Sequence, residues 1–302
     1  MWFWLSIATL ICWSGSDLFS KIGCRDPKDK YSHLKMVMAV GLVMGLHAAY
    51  EIFVGGTEIS MDILLTYLPV SLLYIGSMAM GYLGLRYIEL SISSPICNSS
   101  GALVAVMTLF MVGFSEYPPL ALFAVALVCV GAIGLGVVDY FEDEQLRAER
   151  QKASNFKYSK SLIALALPVA YCILDAIGTF ADNRVLETLN EDSANVAYEL
   201  TFLFMGVLCF IYVVLIKRDR LVPKMEAPKY IGAVCETAGQ FAYIYAIADT
   251  EHLAMSAPII SSYCAASVLW SRIFLKEKLS SKHYLMIVLV VVGIAIMGIL
   301  DM

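Results

Sequence analysis

One pattern constrains this chain more than any other: a stretch beginning at Tyr82 returns, 163 residues later, at Tyr245. Tyr82 falls on Tyr245 and Pro95 on Pro258 with no gap. Each proline is followed by Ile, then by small and hydroxyl residues. Each run closes on a polar turn with a glutamate, Glu116 or Glu277. An apolar helix centred on glycine follows, V-C-V-G-A-I-G-L-G around Gly131 and V-V-V-G-I-A-I-M-G around Gly293. Earlier positions keep step: Trp13 and Asp17 with Tyr171 and Asp175, Met44-Gly45 with Met205-Gly206, Gly76 with Gly239. These are two long halves, not an array of short units.

A membrane-spanning helix needs about 20 apolar residues. Ten segments fit: 2–21, 32–54, 64–86, 91–113, 119–139, 160–181, 195–216, 229–248, 253–275 and 281–300. The fold class expected is an all-α integral membrane protein, with residues 1–140 as the first five-helix repeat and 160–302 as the second. The polar stretch 141–159 is the linker between them. Five is odd, so halves of one fold enter the membrane with opposite orientations, the inverted-topology repeat of many secondary transporters.

Composition agrees. Apolar residues make up 60% and charged ones 16%, with mean hydropathy +0.75, against about 25% charged residues in a soluble domain. A net charge of −5 offers no basic face for nucleic acid. The eight cysteines sit mostly in apolar runs without a C-x-x-C pair, which reads as packing and not as a metal cluster or disulfide framework. No basic residue precedes the apolar start, so the first helix is read as retained and not as a cleaved signal. The odd-numbered loops and their flanks hold 20 of the 21 Lys and Arg residues; Arg184 is the exception. The positive-inside rule then puts these loops in the cytoplasm and both termini outside, at the cell membrane.

In this order and spacing the motifs resemble the drug/metabolite transporter superfamily, specifically its ten-helix EamA-type members. The residues carrying the resemblance are Trp13-Ser14-Gly15, Pro95 and Pro258, Glu116 and Glu277, and the Gly-centred segments 5 and 10. Ser115-Glu116 and Lys276-Glu277 stand where many members have Gly-Glu. The resemblance implies an alternating-access carrier for a small metabolite, with a central cavity walled by segments 1, 3, 4, 6, 8 and 9. It implies no particular substrate.

Ionisable groups inside a bilayer are costly, so each is a functional candidate. Here they are Asp17, Glu51, Asp175, Asp182, Glu199 and Glu236, all acidic. Glu236 lies nearest a midplane, with Gln240 one turn on; a cation or proton contact and a hydrogen-bonded packing role both fit it. Asp17 and Asp175 are equivalent in the two halves, although Asp17 has an i,i+4 alternative in Lys21. Glu51, Asp182 and Glu199 lie near segment ends and read as interfacial, and His47 as an isolated packing histidine. Trp13, Tyr74, Tyr171, Phe241 and Tyr263 sit closest to mid-depth as wall residues. Asn98, in the hydroxyl and amide run after Pro95, fits either service to the carbonyls the proline frees or plain close helix packing.

The function expected is secondary transport, driven by a gradient or by exchange, of a cationic or zwitterionic amine, since aromatic faces with unpaired carboxylates suit a cation. Neutral or aromatic amino acids, sugars, or a lipid-linked sugar flipped by the same fold are the alternatives. An enzyme is disfavoured: the four histidines, 33, 47, 252 and 283, are scattered, with no H-E-x-x-H. No P-loop, cofactor or metal motif is present in the sequence, and a homodimer through segments 5 and 10 is compatible with their glycines.

Overall fold

Two of the apolar segments part into shorter helices a few residues after a proline, Pro95 and Pro258. The computed structural model describes residues 1–26, 28–88, 90–141, 162–276 and 279–300. The linker stretch and Glu277 lie outside the described residues. The described elements are helical: α1 (Trp2–Cys24), α2 (Ser32–Tyr50), α3 (Met61–Gly84), α4 (Leu90–Cys97), α5 (Ser100–Val112) and α6 (Pro119–Tyr140). After the linker come α7 (Leu162–Val185), α8 (Glu191–Phe210), α9 (Pro223–Ala248), α10 (Leu253–Ser261), α11 (Tyr263–Trp270) and α12 (Ser281–Leu300).

Segments 4 and 9, read as single helices from the sequence, are each two short helices. Pro95 lies inside α4 and Pro258 inside α10, and the chain turns three or four residues later, at Asn98–Ser99 and at Ser262. A proline in a helix interior costs one hydrogen bond and crowds the preceding turn. The turns are closed locally: Ser99 N–H donates to the Pro95 and Ile96 carbonyls, and Ser262 N–H to those of Pro258 and Ile259. Two further helices continue into π-helical turns at equivalent places, Glu51–Gly55 after α2 and Ile211–Ile216 after α8. The first of these ends on Gly56 at φ 76°, a left-handed position that glycine adopts without strain. Polar caps begin α3 and α8, where Ser60 Oγ accepts from Ile63 N–H and Asn190 Oδ1 from the N–H groups of Asp192 and Ser193.

Among the described residues seven helices are long and apolar enough to cross a membrane, counting α4–α5 and α10–α11 within one candidate span each. The three long helices left over are α1, α7 and α9, which carry Asp17, Asp175 and Glu236. The exterior is apolar, with Phe53, Leu46, Phe110, Phe123, Phe204 and Val291 among the exposed side chains. Many buried positions are serine, threonine, alanine or glycine. Lipid competes poorly with close packing, so small residues and satisfied hydroxyls fit a membrane interior. Ser6, Thr9, Thr201 and Thr237 each donate to the carbonyl four residues back, removing a polar cost inside the bundle.

The four most extensive contacts run across the linker, α1 with α9, α6 with α12, α2 with α8 and α3 with α7; α5 also meets α10, and α4 meets α11. Glycine permits the closest of them. A Cβ on Gly41 would sit 2.7 Å from the Phe202 carbonyl oxygen, and one on Gly131 2.8 Å from that of Met286. Gly293 faces α6 in the same way, 2.8 Å from the Ala124 oxygen. The glycine faces of segments 5 and 10 are therefore occupied within the chain.

At one end of the bundle two lysines and three carboxylates join the two sides of the chain. Lys35 Nζ lies 3.0 Å from Asp29 and 2.9 Å from Asp219, and Lys229 Nζ 3.2 Å from Asp29 and 3.1 Å from Glu226. Lys229 and Asp29 are fully enclosed, and the Lys229 stem runs over Gly23, where a Cβ would meet it at 2.6 Å.

Candidate functional site

Helical periodicity brings the acids to one place. On α1, Trp13, Ser16, Asp17 and Ser20 recur at i, i+3, i+4 and i+7, a single face. On α7, Tyr171 and Asp175 are one turn apart, as are Glu236 and Gln240 on α9. These faces converge on a void of about 680 Å³, counting the part that opens to solvent. Tyr74, Met78 and Tyr82 of α3, Ser94 and Cys97 of α4, Tyr198 of α8 and Tyr263 of α11 complete its wall. A second void of about 340 Å³ shares Trp13, Tyr171, Asp175 and Tyr263 with it and adds Asn98, Thr179 and Tyr243.

Hydroxyls hold the acids, and no lysine or arginine is among the described residues lining either void. Asp17 Oδ2 accepts from Ser267 Oγ at 2.8 Å and from Ser94 Oγ. Ser94 in turn accepts from Asn98 Nδ2 at 3.2 Å, so the helix break after Pro95 supports Asp17 through two side chains. Asp175 accepts from Ser100 Oγ at 2.7 Å. Glu236 has Ser16 as its hydroxyl partner. The i,i+4 alternative for Asp17 is not taken up: Lys21 Nζ donates to the Leu85 and Ile88 carbonyls, both at 2.8 Å.

The rings are seated on glycines of the opposite side of the chain. A Cβ on Gly239 would lie 2.4 Å from the Trp13 ring, one on Gly81 2.9 Å from Tyr171, and one on Gly178 2.9 Å from Tyr74. Trp13 also packs against Tyr243 and Tyr263, with centroids 4.9 and 5.8 Å away, and its Nε1 donates to the Glu236 carbonyl at 3.4 Å. Two buried polar atoms on the main void have no partner among the described residues, the Tyr82 hydroxyl and Gln240 Nε2.

Of the residues singled out from sequence, Trp13, Asp17, Tyr74, Asn98, Tyr171, Asp175, Glu236, Gln240 and Tyr263 line one void or both. Phe241 does not. It is 40% exposed and packs on His47 and Tyr245, because one residue past the inward Gln240 turns the side chain about 100° around the helix. Three other readings need correction. Asp182 and Glu199 are fully buried, not interfacial. His47 is not isolated: its Nδ1 lies 2.8 Å from Glu199, across the α2–α8 contact. Tyr198 reaches the cavity from segment 7, which was not counted as a wall, and nothing in its local sequence distinguishes it.

A model of the EamA-like transporter family matches residues 153–299. That family is part of the drug/metabolite transporter superfamily. The chain also superposes on a solved crystal structure with a TM-score of 0.63, over 98% of its own length and 96% of the other's. The identity there is 13%, so the likeness concerns fold alone. No curated protein sequence matches the chain. The family match over residues 153–299 and the apolar helices together support a multi-pass membrane protein, and the members of the matched family are transporters.

Proposed function

We propose that the protein is a secondary transporter that carries a cationic or zwitterionic amine by alternating access. One observation carries this reading: three carboxylates, Asp17, Asp175 and Glu236, meet aromatic rings in one cavity without a lining lysine or arginine among the described residues. A cation entering it gains charge contacts and ring faces together. The unpartnered Tyr82 hydroxyl and Gln240 amide favour the zwitterion, because a buried donor without an acceptor costs about 1–3 kcal/mol that a substrate carboxylate would recover.

Ten spans in two inverted repeats, 1–140 and 160–302, are part of the proposal. The helix pairs support it. Exchanging the first five segments for the last five turns the α1–α9 contact into α3–α7 and the α5–α10 contact into α4–α11, while α2–α8 and α6–α12 map on themselves. Rocking of one repeat against the other would then alternate access, with energy from a gradient or exchange. The Lys and Arg distribution supports termini outside the cell membrane. Any homodimer through segments 5 and 10 would use their outward faces, since their glycines are taken within the chain.

The test is a thermal-shift comparison of matched ligands on purified protein, phenethylamine against phenylalanine, with glucose as a neutral control. Ligand that binds only the folded state raises the melting temperature. Both amines are expected to stabilise, phenylalanine more, and Glu236→Gln and Asp175→Asn to remove the shift. Stabilisation by glucose alone, or shifts unchanged in both variants, would sink the amine reading.

A further inference from the structure

Outside the carboxylates that face the main cavity, one acid is more completely enclosed than any of them. Asp182 lies on α7, one turn past Thr179 and two past Asp175. Its side chain is fully buried. Oδ1 accepts from the Tyr67 hydroxyl at 2.7 Å and Oδ2 from the Tyr74 hydroxyl at 3.1 Å. Among the described residues these hydroxyls are its only polar partners. Tyr74 continues to the Tyr243 hydroxyl at 2.5 Å, and Tyr243 to Thr179 Oγ1 at 3.0 Å. Thr179 and Tyr243 then line the second void together with Asp175.

We propose that Asp182 is a proton-binding site and that Tyr74, Tyr243 and Thr179 relay protons between it and the cavity acid Asp175. The proposal rests on the transporter reading and gives it a coupling ion. The chain of hydroxyls has two complete orderings. With Asp182 ionised, Tyr74 donates to Oδ2 and Tyr243 to Tyr74, and Thr179, which accepts from Tyr243 in the structure, turns to donate to it. With Asp182 protonated on Oδ2, the acid donates to Tyr74, Tyr74 to Tyr243, and Tyr243 to Thr179. Passage of one proton converts the second ordering into the first. The acid O–H breaks as its proton bonds to the Tyr74 oxygen, each hydroxyl passes its own proton on, and Thr179 delivers one to Asp175 or to a molecule in the void. No atom is left over, and the co-substrate is the proton itself. All three hydroxyl links lie at or close to the O–H···O range of about 2.5–3.0 Å.

The surroundings leave Asp182 free of competing charge. Tyr67 and Tyr74 face it from α3 and Tyr243 from α9, while Tyr198 of α8 stacks edge-on against Tyr74 at 5.9 Å. The other packed helices, α4 and α5, meet α7 at the level of Asp175, bringing Cys97 and Ser100. Arg184, two residues on, pairs with Glu187 at 2.6 Å. The cluster joins helices from both sides of the linker, so its proton content is also linked to how the halves sit against each other.

Infrared difference spectroscopy of the reconstituted full chain on acidification tests the site without any substrate. A protonated-carboxyl band is expected that Asp182→Asn removes and Tyr67→Phe shifts. Identical difference spectra in wild type and Asp182→Asn would overturn the site. The relay is tested in liposomes with a trapped pH dye, phenethylamine being the added probe. Tyr243→Phe keeps both donors to Asp182 but breaks the chain. It is expected to cut probe-driven proton movement at least tenfold, as is Asp182→Asn, which lines neither void and is expected to keep the phenethylamine thermal shift. Equal proton movement in either variant, or none in the wild type, would overturn the relay. Absence of any phenethylamine thermal shift marks failure of the amine reading instead, and the infrared result still decides whether Asp182 binds a proton.

Discussion

Replacing Gly239 by alanine should damage the cavity, whereas the same change at its repeat partner Gly76 should not. The added methyl at position 239 would lie 2.4 Å from Trp13 Cδ1 and 2.6 Å from Nε1. Carbon atoms rest at about 3.5–4.0 Å, so the indole must move by roughly 1 Å. It has little room, being held by Tyr243 and Tyr263 on its faces and by its bond to the Glu236 carbonyl. Overpacking of this kind costs about 1–3 kcal/mol. The displaced wall should weaken binding of phenethylamine on the order of tenfold, about 1.4 kcal/mol. At Gly76 the nearest atom to a new Cβ is Leu174 Cδ1 at 3.9 Å, an ordinary contact. Alanine favours a helix over glycine by about 1 kcal/mol, so Gly76→Ala should be neutral or slightly stabilising. Melting temperatures and phenethylamine titrations of the two variants decide it. Equal behaviour would refute the seating of Trp13 on Gly239.

Other substitutions separate the parts of the molecule. Lys229→Met leaves Asp29 and Glu226 to share Lys35 inside the buried ion network, and removing one partner of a buried pair costs about 3–5 kcal/mol, so the melting temperature should fall sharply; an unchanged one refutes the network as a joint between the halves. Phe241→Ala should leave phenethylamine affinity as it is, since the ring faces away from the cavity, and a loss of affinity would return it to the wall. Ser94→Ala should weaken the amine more than Ser267→Ala, because Ser94 both donates to Asp17 and accepts from Asn98; the loss of one hydrogen bond to a charged group is worth about 1.5–3 kcal/mol, and the reverse order in a titration contradicts the geometry.

The wall residues were legible for a simple reason. Trp13, Asp17, Tyr171, Asp175 and Glu236 are the polar or aromatic interruptions of otherwise apolar helices, and a bilayer makes such interruptions expensive wherever they face lipid. The price of lipid exposure does not say which neighbour relieves it. Asp182 and Glu199 look interfacial by distance from a segment end, yet helices far away in sequence close over both. The same limit hid the partner of His47 and the cavity role of Tyr198, each supplied by a helix more than 100 residues away.

What the sequence by itself determined is the membrane class, the repeated motif and the stripe of acids on α1, α7 and α9, because hydropathy and helical period are local properties of the chain. It also marked Pro95 and Pro258 as special, though not that the helix would part at Asn98 and at Ser262 beyond them. Tertiary structure alone decided which of two neighbouring residues, Gln240 or Phe241, meets the cavity, and which of two equivalent glycines, Gly239 or Gly76, carries a ring. It alone assembled Tyr67, Tyr74, Tyr243 and Thr179 around Asp182, since hydrogen bonds between helices depend on rotation and depth, which no single helix fixes for itself.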